Sequence, residues 1–445
     1  MSGGDDRRFS RRCSRRTAMR TVAAGGLAVT AAGCLGEDRF WDDPPPFDAD
    51  GLESVTDAAL PDRPDPIPVA LSADRLAAFA TRVEALLEPI PEPLTEKTVP
   101  NGKIRAAIDS DRSDARTALD RLSDRADTIS KAEAAADACG HAAGAAGVWA
   151  AITSERSFED VTISRAELST DRAAFTDSLP AAAAGPAAGA AVYGPLDAWF
   201  YLVEDPPDPV DPIRAGRWTR FLERRWRRIR AGDAIRTRYV DSLAEPRSIA
   251  ADLERAVDAL GPHVRDRIAD YTREGERLAP VDPVTLLDRD ANPDEPGVRL
   301  LSRKLGETFD RVWTGPLPSR EGDVSSTPQA ICLTERTLAA VGAVAPIVDR
   351  LDGGDELFPD GADAVREARG AAIDAVASLG DDSPLETWLA RSLVIALADV
   401  DETLARATVS DLEAIAGAYG EYVWLESVAR SAPDATATVA AALEG

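Results

Sequence analysis

The sequence predicts an all-α protein, built as irregular multi-helix bundles of about ten to twelve helices. Three observations predict it. From Leu71 onward, apolar residues recur at three- and four-residue spacing through most of the chain, the period of a helix with one buried face. Helix-start signatures, a hydroxyl followed three residues later by a carboxylate, precede two of these stretches. Hydrophobic residues make up 44% of the 445 residues and aromatics only 5%. Such a core is made largely of Ala, Leu and Val, which favours close helix packing over aromatic-rich sheets.

The elements follow in chain order. Ser72 precedes Leu76, Phe79, Val83, Leu86 and Leu87, which share one helical face. Ala115, Leu119, Leu122, Ala126, Ile129 and Ala136 form a longer stripe. Phe158 to Ile163 is the one short candidate strand. Ala181 to Val203 carries a single charge, Asp197, and is interrupted by Pro186 and Pro195, so it is expected as a buried helix pair and not as a membrane span. Ile249, Leu253, Val257, Leu260, Val264, Ile268 and Tyr271 make a further stripe that Pro262 should kink or restart. Ser383 with Glu386 and Ser410 with Glu413 are expected capping boxes. No fixed-period repeat is present, which disfavours a solenoid.

The length exceeds one ordinary core. Residues 279–297 hold four prolines among acidic residues, so the expected division is a larger bundle over 71–279, a linker over 280–297 and a smaller bundle over 298–445. Ahead of the body, residues 34–70 are acidic and Pro-rich, which predicts an extended tether.

The amino terminus is of another kind. Ser14-Arg15-Arg16-Thr17-Ala18-Met19-Arg20 leads into twelve uncharged residues, Thr21 to Ala32, and then Gly33-Cys34. Twelve helical residues span about 18 Å, short of a bilayer core of about 30 Å, so this is a signal peptide and not an anchor helix. Arg15-Arg16 resembles a twin-arginine (Tat) export signal, with Ala18 and Met19 where that family has bulkier residues. Ala31-Ala32-Gly33-Cys34 resembles a lipobox. The resemblance covers about the first 34 residues. It implies export of a folded chain, cleavage before Cys34, and a lipid on the Cys34 thiol that holds the protein to the outer face of the cell membrane.

Charge supports a saline setting. There are 51 Lys and Arg against 77 Asp and Glu, a net −26; residues 1–33 contribute +5, leaving about −31 on the remainder. Only Lys97, Lys103, Lys131 and Lys304 are lysines. Such self-repulsion is tolerable where the Debye length falls to about 3 Å, near 1 M salt. The Ala- and Asp-rich, Lys-poor composition resembles proteins of salt-in halophilic archaea, so the chain is expected to be a haloarchaeal Tat-exported lipoprotein. Strong net negativity argues against nucleic acid as the main partner.

Candidate chemistry is sparse. Ile213 to Arg238 hold ten arginines. On a helical wheel Trp218, Phe221, Leu222, Trp226 and Ile229 share a face, with Arg217, Arg220, Arg224, Arg227 and Arg228 opposite. One reading is an anion-binding surface for headgroups or an acidic polymer; the other is a core helix whose arginines pair with nearby carboxylates, which screening at molar salt favours. Asp288, Asp290, Asn292 and Asp294 match the alternating ligands that open an EF-hand loop, but Pro293 replaces the turn glycine and Arg299 stands where the bidentate Glu belongs. Of two histidines, His141 lies among small residues on a helix. Gly261-Pro262-His263-Val264-Arg265-Asp266 resembles the GxHxxE signature of imelysin-like exported helical proteins, with Asp266 for Glu, and implies a metal role for His263 and Asp266. Cys139 and Cys332 lie in apolar stretches and are expected as buried free thiols in preference to a disulfide. No HExxH, GxSxG, SxxK, GxGxxG or P-loop pattern occurs, and no motif asks for a cofactor or a resident metal. The sequence favours a tethered binding or structural module, with an imelysin-like metal protein or a hydrolase in an inter-bundle cleft as alternatives.

Overall fold

The computed structural model describes residues 47–122, 127–153, 158–179, 182–199, 211–273, 279–314, 327–380 and 383–445. In the first part of the chain α1 is Ala49–Glu53, α2 Ala73–Leu87, α3 Gly102–Asp120, α4 Thr128–Thr153 and α5 Phe158–Val161. Then come α6 Arg165–Asp177, α7 Pro186–Ala198 and α8 Pro212–Ser242. The second part holds α9 Ala250–Ile268, α10 Pro296–Thr314, α11 Thr327–Gly342 and α12 Val344–Asp352. It ends with α13 Ala362–Ala377, α14 Pro384–Arg406 and α15 Leu412–Glu444. The protein is all-α, with thirteen helices of nine residues or more among the described residues, one above the expected range. Its one sheet there pairs β1, Ala182–Ala183, antiparallel with β2, Arg247–Ser248.

Two helices organise the packing. In the first group α4 lies against α8, α3 and α2, and α6 packs on α8. Glycines allow the close approach: a Cβ on Gly216 of α8 would stand 2.8 Å from the Gly144 carbonyl oxygen of α4, and one on Gly140 would stand 2.9 Å from the Arg224 Cβ. Small residues at such crossings bring backbones together and gain dispersion contacts. In the second group α15 packs against α13, α11, α14, α9 and α10. The buried apolar residues of both groups form one continuous core.

Packing runs across the expected boundary at 280–297. α9 lies on α11 and α15, and α7 leaves the first group to pack on α11 and α14. The 280–297 stretch is itself docked: Arg289 Nε donates to the Leu351 carbonyl at 2.9 Å, and Gly297 N–H to that of Glu356 at 3.2 Å. Packing changes hands between α8 and α9 instead.

Of the expected tether over 34–70, residues 47–70 are described and residues 34–46 lie outside the described residues. From Phe47 the chain folds onto the body, burying Leu52, Val55, Ile67 and Leu71. Buried Arg369 of α13 forks onto Asp401 at 2.9 and 2.7 Å and donates to the Ala58 carbonyl at 2.7 Å. Asp65 accepts the Thr128 N–H at 2.7 Å, at the start of α4. Next to it, buried Asp127 receives Arg391 of α14 at 3.1 and 3.0 Å, which ties the two groups together. Burial would raise the Asp127 pKa, but the Arg391 charge and the Ser130 hydrogen bonds outweigh it and hold the carboxyl below its usual value.

Among the described residues one stretch, Thr327–Asp352, is long and apolar enough to cross a membrane, and 67% of its apolar window is buried inside the bundle. It is core here, as α11 and α12. Two local expectations fail. Phe158–Ile163 is not a strand: Phe158–Val161 is the single turn α5, and the capping box follows it, with Ser164 and Glu167 bonded reciprocally at 3.2 and 2.9 Å. The Ala181–Val203 run yields α7 as its one described helix instead of a pair, with Pro195 inside it.

Candidate functional site

α8 begins where its sequence allows. Asp211 at the N-cap accepts the Arg214 N–H at 2.9 Å, and Pro212 occupies the first turn, where its missing N–H costs nothing. Thirty-one residues carry the helix about 46 Å. Its arginine face does not look onto open solvent. The small residues of α4 let α8 sink in, so the arginine stems lie across α3 and α4 and their heads meet carboxylates.

The pairs are specific. Arg220 Nη2 contacts the buried Asp111 carboxylate of α3. Arg224 and Arg228 both reach Asp137 of α4, at 3.8 and 3.5 Å. Glu223, fully buried, is gripped from two sides by Arg82 Nε at 2.9 Å and Arg227 Nε at 2.8 Å. Burial, and then the neighbouring arginine, lowers the pKa of Arg220; burial and Arg228 lower that of Arg224 against the pull of Asp137. Guanidinium remains charged under such shifts, so the carboxylates are structural counterions. Of the five arginines singled out in the sequence, four are thus half-buried in ion pairs. The fifth, Arg217, is exposed and makes no ion pair among the described residues.

One group of metal-type ligands converges among the described residues. His141 Nδ1 stands 3.2 Å from Asp111 Oδ1 and 3.7 Å from Asp114 Oδ2, and the ligand atoms of all three lie within 4.8 Å. Burial lowers the His141 pKa, and Arg224 adds to it, against the pull of Asp114 and Asp137. Asp111 already carries the Arg220 guanidinium, so its charge is met from within the chain. A His, two Asp and an Arg here form a polar lock between α3, α4 and α8.

Beside the arginine face an open groove of about 710 Å³ lies where α2, the α5–α6 connection and α8 meet. Arg82, Arg227, Trp226, Thr162, Ile163, Ser164, Asp160 and Glu167 line it. Arg227 is stacked over the Trp226 ring, 4.4 Å from its centroid. The Trp226 indole N–H donates to Asp171 at 3.1 Å. Arg82 Nη2 donates to the Val161 carbonyl at 2.5 Å and so fixes the connection that bears Thr162. The Thr162 hydroxyl is buried and has no hydrogen-bond partner among the described residues. Guanidinium groups and an unpartnered hydroxyl in one open groove suit a small polar ligand with an anionic group.

Residues 74–245 match a family described as Domain of unknown function (DUF8262), and residues 250–441 match Domain of unknown function (DUF8264). No curated protein and no solved structure matches the chain. The groove and the arginine face lie wholly within the first match. The two matches meet at β2, where the packing also changes hands.

The other sequence candidates fall elsewhere. Arg15, Arg16 and Cys34 lie outside the described residues. His263 and Asp266 are exposed in the C-terminal third of α9, an unbroken helix despite Pro262, and no further ligand converges on them among the described residues. In the EF-hand-like segment the carboxylates do not converge. Instead Arg289 pairs with Glu295, and Arg299 pairs with Asp294 at 3.8 Å and Glu413 at 3.4 Å. Cys139 and Cys332 are buried free thiols: burial pushes Cys139 up to about 12 and Cys332 well above its ordinary value, so neither is a nucleophile. Sequence reasoning missed Arg82, Thr162, Glu223 and Asp111. The one signal available was Glu223, the single acid among seven arginines from Arg217 to Arg230.

Proposed function

We propose that the protein is a haloarchaeal Tat-exported lipoprotein, held to the outer face of the cell membrane by a lipid on Cys34, whose helical body is a binding module for an anionic partner. The carrying observation is the preformed groove at Arg227, an accessible guanidinium braced by Glu223 and Trp226 in a body otherwise rich in carboxylates. The docked segment from Phe47 supports the tethering half of the reading. Only thirteen residue steps separate Cys34 from Phe47, at most about 45 Å, so the body stays near the bilayer. The acidic surface suits the salinity in which such a chain folds before export.

Fractionation tests the anchoring. Wild type is expected in the membrane fraction and Cys34→Ser in the medium or soluble fraction. Equal membrane retention of both would count against the lipid anchor. Replacing Arg15 and Arg16 by lysine should leave unprocessed precursor inside the cell.

A further inference from the structure

We infer that the groove between α2, α6 and α8 is a subsite for a small monoanion, a carboxylate or a phosphodiester, that carries hydroxyl or ammonium groups next to its charge. The inference rests on the binding reading above and gives it a ligand class. Four observations carry it.

Arg227 offers an unused fork. Its Nε is committed to Glu223, and Nη1 and Nη2 make no hydrogen bond among the described residues. The side chain is 18% exposed and held over Trp226, so its orientation is set before any ligand arrives. Two parallel N–H groups match the two oxygens of a carboxylate or phosphodiester.

Thr162 supplies an independent sign of a missing partner. It is only 4% exposed, it lines the groove, and its Oγ1 is left without a hydrogen bond among the described residues. A buried hydroxyl in that state is uncommon in a native fold, and a ligand oxygen would satisfy it.

Charge is layered. Arg82 and Arg227 share the single carboxylate of Glu223, which leaves one positive charge in the interior of the groove. Asp160 and Glu167 are exposed at its edge. That edge repels a dianion or polyanion and accepts donors, so one negative charge flanked by hydroxyl or ammonium groups fits both layers. The volume, about 710 Å³, admits a headgroup-sized molecule and excludes a folded partner.

The same chemistry occurs on a lipid headgroup and on a free solute, and the experiment separates them. The full Cys34→Ser chain is titrated calorimetrically in concentrated KCl with glycerophosphoglycerol and with glucuronate. In parallel it is sedimented with phosphatidylglycerol or phosphatidylcholine vesicles. At least one monoanion is expected to bind saturably at one per chain, with affinity reduced tenfold or more by Arg227→Gln and several-fold by Thr162→Val, and unchanged by Arg217→Gln. Arg227-dependent sedimentation with phosphatidylglycerol alone assigns the site to a headgroup; binding of soluble probes without sedimentation assigns it to a solute. Absence of binding to every probe overturns the inference, as does binding that Thr162→Val and Arg227→Gln leave intact. Thr162→Val is close to isosteric, so it remains informative if Arg227→Gln folds poorly. A chain that is membrane-held but binds none of the probes overturns this inference and leaves the anchoring standing; one that binds but is not retained through Cys34 overturns the anchoring alone.

Discussion

Glu335 of α11 should make the stability of the body fall as pH rises through neutrality. Its carboxyl is fully buried; Oε1 accepts the Thr436 hydroxyl of α15 at 2.5 Å, and Oε2 has no partner among the described residues. Burial, with the nearby Glu386 charge adding to it and the Thr436 hydrogen bond opposing, pushes its pKa up to about 8 from an ordinary 4.5. Below pH 4.5 both folded and unfolded chains are protonated there and nothing is lost. Between 4.5 and about 8 the unfolded chain has released the proton and the folded one has not, so stability drops by about 1.4 kcal/mol per pH unit and then levels off. From pH 5 to pH 7.5 the loss comes to about 3 kcal/mol. Glu335→Gln removes the titration while keeping an acceptor for Thr436. Guanidinium unfolding of both chains at pH 5 and 7.5, at equal ionic strength, should show the gap between them shift by about 3 kcal/mol in favour of the variant at the higher pH. Parallel pH profiles for the two chains would refute the argument, because they would mean that Glu335 has an ordinary pKa.

Arg391→Met should cost about 3–5 kcal/mol, since it leaves the Asp127 carboxylate buried without its partner, and Arg391→Met with Asp127→Asn should recover much of that; chemical denaturation of single and double variants checks it. Gly216→Ala should destabilise by about 1–3 kcal/mol despite the better helix propensity of alanine, because the methyl meets the Gly144 carbonyl at 2.8 Å; a rise in Tm would contradict the close α4–α8 crossing. Thermal unfolding followed by circular dichroism should shift steeply upward with KCl, and a flat response below about 0.5 M would argue against the halophilic reading of the −26 charge.

The helices were legible where one apolar stripe met one core. Ser72 is the N-cap of α2, and Phe79, Val83 and Leu86 are buried on its expected face. Ile249, Leu253, Leu260, Val264 and Ile268 are buried along α9 or at its cap. Boundaries were less legible, because several side chains compete for each cap. Asp411, not Ser410, caps α15, and Glu413 turns to Arg299. Glu386 accepts the Gly380 N–H at 3.2 Å, and Ser383 caps α14 without a side-chain bond. The stripe from Ala115 to Ala136 is shared between α3 and α4, with Ala115, Ile129 and Ala136 buried and Ala126 outside the described residues. The docking of the linker and the tether was less legible for a related reason. Proline and acid disfavour helix, but they do not prevent an extended segment from docking when residues such as Ile67 and Asp65 find partners on the body.

The candidate site was half legible. Ten arginines in one helix of an acidic chain are visible at a glance; which carboxylates answer them is not, because 77 acids supply far more possible partners than pairs. Glu223 looks in the chain like a surface residue four positions before Arg227. It is buried because Arg82, 141 residues earlier, closes over it from α2. That closure leaves two guanidinium groups on one carboxylate. The surplus guanidinium is half-buried at the groove and lies beside a buried hydroxyl that lacks a partner among the described residues. An anionic group entering the groove would meet that guanidinium and that hydroxyl together, inside the edge set by Asp160 and Glu167.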